Sequence, residues 1–279
     1  MSQSTKIEWT DATWNPVAGC TKVGPGCDNC YAERFAERWR NVPDHPYEFG
    51  FELRLWPERL KQPKLWRKPR MIFVNSMSDL FHKDIPRSYI DRVFDAMEEA
   101  HWHVYQVLTK RSSLMRNYVR TLYDGGKVPT HIWLGVSVEN EAHKSRINHL
   151  REINSDARFV SFEPLLGSIG PVDLSGVAWA IVGGESGPGA RPMDGEWATE
   201  VRLQCEASGT AFFSNSGVGR DQNLVDAYWR ASSGTASHGT SCLQLSLRSS
   251  GGSIERPIRS LSRSRTHPNQ ASLSGQIFA

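Results

Sequence analysis

The sequence predicts an α/β fold: a full or partial TIM-type (β/α) barrel, with parallel strands inside and helices outside. Three observations carry this expectation. Short apolar runs alternate with amphipathic segments at intervals of roughly 25–35 residues, the length of a βαβ unit. Nearly every apolar run ends in polar or charged residues: Asn75, Ser76 and Asp79, then Thr109 and Lys110, then Ser137 and Glu139, then Glu163, then Glu185. In a barrel those ends share one rim, and that rim carries the chemistry of such folds. Finally, three of the five cysteines fall in a glycine-rich stretch directly after the first apolar segment.

Each element follows from local pattern. Residues 7–17 read as a first strand, with a turn or strand end at Asn15-Pro16. The stretch 19–31 is a loop, because Gly19, Gly24, Pro25 and Gly26 interrupt any regular structure. It spaces Cys20, Cys27 and Cys30 as C-x6-C-x2-C. A helix is expected over 31–40, with Tyr31, Phe35 and Trp39, or Ala32, Phe35, Ala36 and Trp39, along one face. Residues 41–70 hold Pro43, Pro46, Pro57, Pro63 and Pro69 and read as an excursion with one short helix near 57–62.

The repeating pattern then begins. Strands are expected at 71–74, 103–108, 132–136, 158–162 and 179–182, with another starting at 210–213. Helices are expected at 86–100, 112–123, 141–153 and 196–208. The first of these turns Ile90, Val93, Phe94 and Met97 to one side. The second buries Leu114, Met115, Tyr118, Val119 and Leu122.

With 279 residues, a hydrophobic fraction of 39% and ten tryptophans, a substantial core is available. No apolar run is long enough to cross a membrane. Residues 1–6 lack the apolar centre of a signal peptide. Clustered cysteines without such a signal imply the reducing cytoplasm. The net charge of +3 conceals an asymmetry. Residues 214–279 hold seven Arg and three acidic residues, for +4, which leaves −1 on residues 1–213. The main body therefore lacks the basic footprint of a nonspecific nucleic-acid binder.

Three thiols near a helix N-terminus are soft ligands, suited to zinc, copper(I) or an iron–sulfur cluster. A structural zinc would need a fourth ligand, for which His45 or His82 is a candidate. A [4Fe–4S] cluster on three cysteines leaves one iron open for a substrate or cofactor. Unliganded thiols are the remaining reading.

The three-cysteine loop after the first strand of a (β/α) barrel resembles the radical S-adenosylmethionine (radical SAM) enzymes. Their usual motif is C-x3-C-x2-C. Here the last gap agrees, the first gap is six residues, and the aromatic residue, Tyr31, follows the third cysteine instead of preceding it. The segments Trp14-Asn15-Pro16, Gly26 to Ala32, Phe73 to Phe81, Leu108 to Arg111, Leu134 to Glu139, Ser161 to Leu165 and Val182 to Gly187 look like a phage- and prophage-associated family of uncharacterised proteins. The likeness covers roughly residues 5–213. It implies Cys20, Cys27 and Cys30 as ligands of a 4Fe-4S cluster and S-adenosyl-L-methionine on the open iron. Ser76 and Asp79 would accept from the amino group of that cofactor, and Lys110 or Arg111 would pair with its carboxylate. Ser137, Glu139 and Asn140 would accept from the ribose. Gly183 and Gly184 would let backbone approach the adenine or sulfonium, and Glu163 and Glu185 would face cofactor or substrate. Implied partners are a small-molecule or nucleic-acid-related substrate and a reductant such as flavodoxin or ferredoxin. The competing readings are a zinc-stabilised nucleic-acid-binding or interaction protein, and a different iron–sulfur or thiol enzyme on the same barrel.

The domain division expected is 1–213 for the barrel and 214–279 for a Ser/Arg-rich tail. The tail holds 15 serines and no lysine, a composition that reads as disordered. It also reads as an out-of-frame translation. Leu224 to Trp229 can be encoded by CTG GTG GAC GCT TAC TGG, which from its third nucleotide gives Gly-Gly-Arg-Leu-Leu, a continuation typical of the resembling family. The gene sequence checks this: a shifted frame that continues the family pattern beyond Phe213 is expected, and its absence ends the idea.

Overall fold

The computed structural model describes residue 5 and residues 7–215. The expected Ser/Arg-rich tail, apart from its first two residues, lies outside the described residues. Among the described residues nine strands form: β1 (Ala12–Trp14), β2 (Val17–Ala18), β3 (Arg54–Leu55), β4 (Met71–Val74), β5 (Val104–Thr109), β6 (Ile132–Ser137), β7 (Arg158–Phe162), β8 (Trp179–Val182) and β9 (Ala211–Ser214). Six helices accompany them: α1 (Tyr31–Glu37), α2 (Gln62–Leu65), α3 (Arg87–Glu99), α4 (Ser112–Leu122), α5 (Ser145–Arg151) and α6 (Gly195–Ser208).

Seven strands pair in parallel in the order β1-β4-β5-β6-β7-β8-β9 and curl into a half-barrel. Neighbouring strands in this sheet follow chain order, so every crossover returns the same way. Helices α3, α4, α5 and α6 fill four of these crossovers, while residues 163–178 link β7 to β8 without a helix. The partial barrel expected from the alternation of strand and helix is therefore the fold.

Both faces of the sheet are buried, which explains the near-continuous apolar strands. Alternate residues still divide between two cores, as a strand period of two requires. Met71, Phe73, Trp133, Phe159, Trp179, Ile181 and Phe213 fill the concave side together with Trp9. Ile72, Val74, Leu134, Val136, Val160, Ala180 and Val182 pack outward against the helices. Val93, Phe94 and Met97 of α3 and Met115, Tyr118 and Val119 of α4 meet them there.

Five expectations need correction. The first strand is split: Asn15-Pro16 breaks it into β1, which joins the main sheet, and β2, which pairs antiparallel with β3. Helix α1 buries only Ala32 and Ala36, while Tyr31, Phe35 and Trp39 are exposed. The helix lies at the barrel mouth rather than in its wall, so small residues face the protein. Leu114 is exposed because it lies off the face that α4 packs against the sheet, the stripe Ser112, Met115, Tyr118 and Val119. Near 57–62 the chain forms a 3-10 turn over Pro57–Lys61 that runs into α2, and the expected helix 141–153 is a 3-10 turn over Glu141–His143 followed by α5.

Among the described residues no helix is long and apolar enough to cross a membrane.

Candidate functional site at the strand ends

The loop between β2 and α1 crosses the rim formed by the C-terminal ends of the parallel strands. It is tethered there at three places. At Gly19 it begins as a parallel bridge to Ser78, beyond the end of β4, with the Gly19 amide donating to the Met77 carbonyl at 3.0 Å. Next, the Arg111 guanidinium, past the end of β5, donates through Nη1 to Cys20 Sγ at 3.4 Å. Its Nη2 donates to the Thr21 carbonyl at 2.9 Å and to Thr21 Oγ1 at 3.2 Å. His82 Nε2 shares a 2.8 Å hydrogen bond with the same hydroxyl.

The second tether lies over the end of β6. Gly26 sits so close to Glu139 that a Cβ there would stand 2.4 Å from Glu139 Cγ. Only a residue without a side chain seats the loop at this point. Glu139 is 1% exposed and carries a full set of partners. Lys110 Nζ lies 2.8 Å from Oε1, Arg146 Nη1 2.9 Å from Oε2, and His143 Nδ1 3.3 Å from Oε2. Burial pushes this carboxyl up, but Lys110 and Arg146 outweigh it and hold it below the usual carboxylate range.

The third tether joins the loop to the segment after β8. Glu185 Oε2 accepts from Asn29 Nδ2 and from the Arg191 amide, each at 2.8 Å, while Arg191 Nη2 bonds Glu185 Oε1. Arg191 Nη2 also reaches the Pro25 carbonyl at 2.7 Å, and Nη1 lies 3.5 Å from Asp28 Oδ2. Arg34, from α1, donates to the Ser186 and Pro188 carbonyls. The hydrogen bond from the Arg191 side chain holds the Glu185 carboxyl down at about 2.

The candidate site residues separate in this geometry. Asp79 is buried and takes donors on both oxygens: Thr109 Oγ1 at 2.7 and 2.9 Å, the Phe81 amide at 3.0 Å, the Lys110 amide at 3.1 Å and Arg111 Nη1 at 3.0 Å. Lys110 is drawn to Glu139 and to the Glu163 carbonyl, the latter at 3.3 Å. Ser137 is buried, and its carbonyl accepts from Arg146 at 2.8 Å. Asn140 caps the following 3-10 turn through Ala142. Ser76 is partly exposed, with Oγ against Asn15 and its carbonyl accepting from the Tyr31 hydroxyl. Gly183 is buried under Glu163, where a Cβ would meet Oε1 at 2.4 Å, and Gly184 is exposed. Glu163 accepts from Ser161 Oγ at 3.2 Å and from Asn215, and burial raises its carboxyl above the usual range. The structure thus brings Asp79, Lys110, Glu139 and Glu185 to one rim beneath the cysteine loop.

Cys20, Cys27 and Cys30 are free and each partly exposed. Cys205 is buried on α6, and desolvation pushes its thiol up to about 12. Burial raises the Cys20 thiol, with Arg111 opposing the shift. Among the described residues, no three or more His, Cys, Asp or Glu side chains are grouped as ligands of a metal ion. As soft donors, three free thiols on one loop are of the type that an iron–sulfur cluster takes, and one of them, Cys20, has the Arg111 guanidinium as a donor. His45 stacks on Trp39 at 4.1 Å and its Nδ1 accepts from the Tyr47 amide. His82 is the histidine beside the Cys20 end of the loop.

Sequence reading did not identify Arg146, His143, Arg191, Asn29 or Thr21. These supply the counter-charges and tethers, and each lies within a turn or two of a residue that was identified. A carboxylate at a buried strand end requires a cation, so the nearest downstream basic residue was the available signal.

The fold and rim define a class: a partial (β/α) barrel with a three-thiol loop across the strand C-termini. The chain belongs to the family described as Protein of unknown function (DUF5131), which matches residues 4–277. No curated protein and no solved structure matched the chain.

Two outcomes follow from these tethers. Glu139→Ala leaves Lys110 and Arg146 without their buried partner and is expected to cost about 3–5 kcal/mol. Urea unfolding checks this, and a loss below about 1 kcal/mol, the scale of an exposed pair, counts against it. The second concerns acid. A carboxyl held down at about 2 adds stability that is complete above its ordinary value of 4.5 and is lost as pH falls between the two. The melting temperature of Glu185→Gln is therefore expected to fall less than that of the parent between those limits. Parallel profiles contradict the assignment.

Proposed function

We propose that this chain is an iron–sulfur enzyme of the radical S-adenosylmethionine type, of phage or prophage origin, acting in the cytoplasm. The observation that carries the reading is the placement of three free, partly exposed thiols on one loop over the C-terminal ends of parallel strands. Cys20, Cys27 and Cys30 would hold a 4Fe-4S cluster, which leaves one iron without a protein thiolate. When bound there, S-adenosyl-L-methionine supplies one-electron radical chemistry at its sulfonium.

The chain's own residues would prepare this site. Arg111 places an N–H against Cys20, and the Glu139 cluster fixes the floor under Gly26. Tyr31 ties the start of α1 to the Ser76 carbonyl at the mouth. Gly184 leaves backbone open beside the end of β8. The partner classes in this reading are a small-molecule or nucleic-acid-related substrate, with a nucleoside, nucleotide or nucleic acid as the substrate class, and a reductant such as flavodoxin or ferredoxin.

Anaerobic purification with iron, sulfide and zinc analysis tests this, together with EPR of the dithionite-reduced protein. The expected result is a [4Fe–4S] signal that is absent from the Cys20→Ala/Cys27→Ala/Cys30→Ala variant and that changes on adding S-adenosylmethionine. Stoichiometric zinc, with no cluster after reconstitution, would overturn it. That result would leave a zinc-stabilised loop with His82 as the fourth ligand to examine.

A further inference from the structure

We infer that Arg111 is the positioning residue of the three-thiol loop, gripping the Cys20 end from an anchor on Asp79 and donating an N–H to the Cys20 sulfur. The second half of this statement rests on the iron–sulfur reading. The first half does not.

The inference begins with Asp79. Its carboxylate has four donors, Thr109, Phe81, Lys110 and Arg111, contributed by the ends of two neighbouring strands, with the Thr109 hydroxyl within reach of both oxygens. A carboxylate so saturated has no freedom to rotate, and it has little capacity left for a further ligand. The guanidinium it holds is planar, so fixing one nitrogen fixes the directions of the rest. Arg111 Nη1 then spans Asp79 Oδ2 at 3.0 Å and Cys20 Sγ at 3.4 Å, and Nη2 takes both oxygens of Thr21. The side chains of Arg111 and Asp79 are each 9% exposed, so water screens this pair weakly.

One arginine therefore binds two successive loop residues through a sulfur, a carbonyl and a hydroxyl. A lysine could satisfy only part of this set, because its ammonium lacks the fork. This gives Asp79 and Arg111 a task different from the amino-group and carboxylate contacts that the family resemblance implies. For a cluster on Cys20, a cationic N–H donor to the ligand sulfur favours the reduced state, whose charge is more negative.

The test uses the full chain with Arg111→Met, Arg111→Lys and Asp79→Asn. In the reconstituted protein, an EPR-monitored redox titration reads the cluster directly. Arg111→Met is expected to lower the ratio of reduced to oxidised cluster about tenfold at a fixed potential, about 59 mV for one electron. Arg111→Lys should recover part of that shift. An unchanged potential in a cluster-bearing variant overturns the donor role. In the metal-free chain, hydrogen exchange is read at the amides of residues 19–30. All three variants are expected to exchange there about tenfold faster, while the β6 to β8 core keeps its protection. Unchanged exchange overturns the grip on the loop. If the parent chain takes up no cluster, the iron–sulfur reading fails, and the exchange measurement alone decides the role of Arg111.

Discussion

The glycine-rich loop is held across the barrel mouth chiefly by charge at the strand ends beneath it. Carboxylates at the ends of three alternate strands supply it. Asp79 follows β4, Glu139 follows β6 and Glu185 follows β8. Asp79 fixes Arg111, which takes Cys20 and Thr21. Glu139 meets Gly26. Glu185 binds Asn29 directly and fixes Arg191, which takes Pro25. The spacing of alternate strands in a parallel sheet is about 9–10 Å. The loop spans that rim because its contacts are distributed along it.

This arrangement divides the rim by solvent access. The three tethering carboxylates are buried, with Glu139 at the extreme, while the three thiols are partly exposed. Buried charges are expensive unless paired and fully hydrogen-bonded. Glu139 meets that condition with Lys110, Arg146 and His143. The pairing also explains the local sequence. Arg146 sits on the inner face of α5, the helix that follows β6, and its guanidinium reaches back to the end of that strand.

The fold was legible because its signals are local. Strands Met71–Val74, Arg158–Phe162 and Trp179–Val182 are apolar runs bounded by polar residues, and chain order alone gives their neighbours in a sequential parallel sheet. The rim was legible in part. Asp79, Lys110, Glu139 and Glu185 announce themselves as charges where apolar strands stop. Their partners did not, because pairing depends on which face of a neighbouring helix or loop turns inward. Lys110 illustrates the limit: its Nζ turns to Glu139 on the next strand end. Helix α1 illustrates another. Two faces were legible around it, Tyr31, Phe35 and Trp39 or Ala32, Phe35, Ala36 and Trp39, and of these residues Ala32 and Ala36 are buried. Hydrophobic period alone does not distinguish a helix in the barrel wall from one lying at its mouth.

The exposed aromatics of α1 and the buried ions under the loop are two consequences of one topology. Among the described residues the parallel strands form a half-barrel, and their C-terminal ends make one rim. The cysteine loop and α1 occupy that mouth, and their inner surface meets charged strand ends rather than an apolar core. Small residues and hydrogen-bonding groups therefore face inward: Gly26, Ala32, Ala36, Asn29 and Thr21. The large aromatics nearby are partly exposed and find partners outside the core: Tyr31 donates to the Ser76 carbonyl, Phe35 meets Tyr47 edge-on and Trp39 stacks on His45. The thiols lie between these two environments. Cys20 has a charged donor behind it, and open solvent is accessible in front. The protein side of the loop is thus a set of paired charges, and its solvent side carries the three thiols.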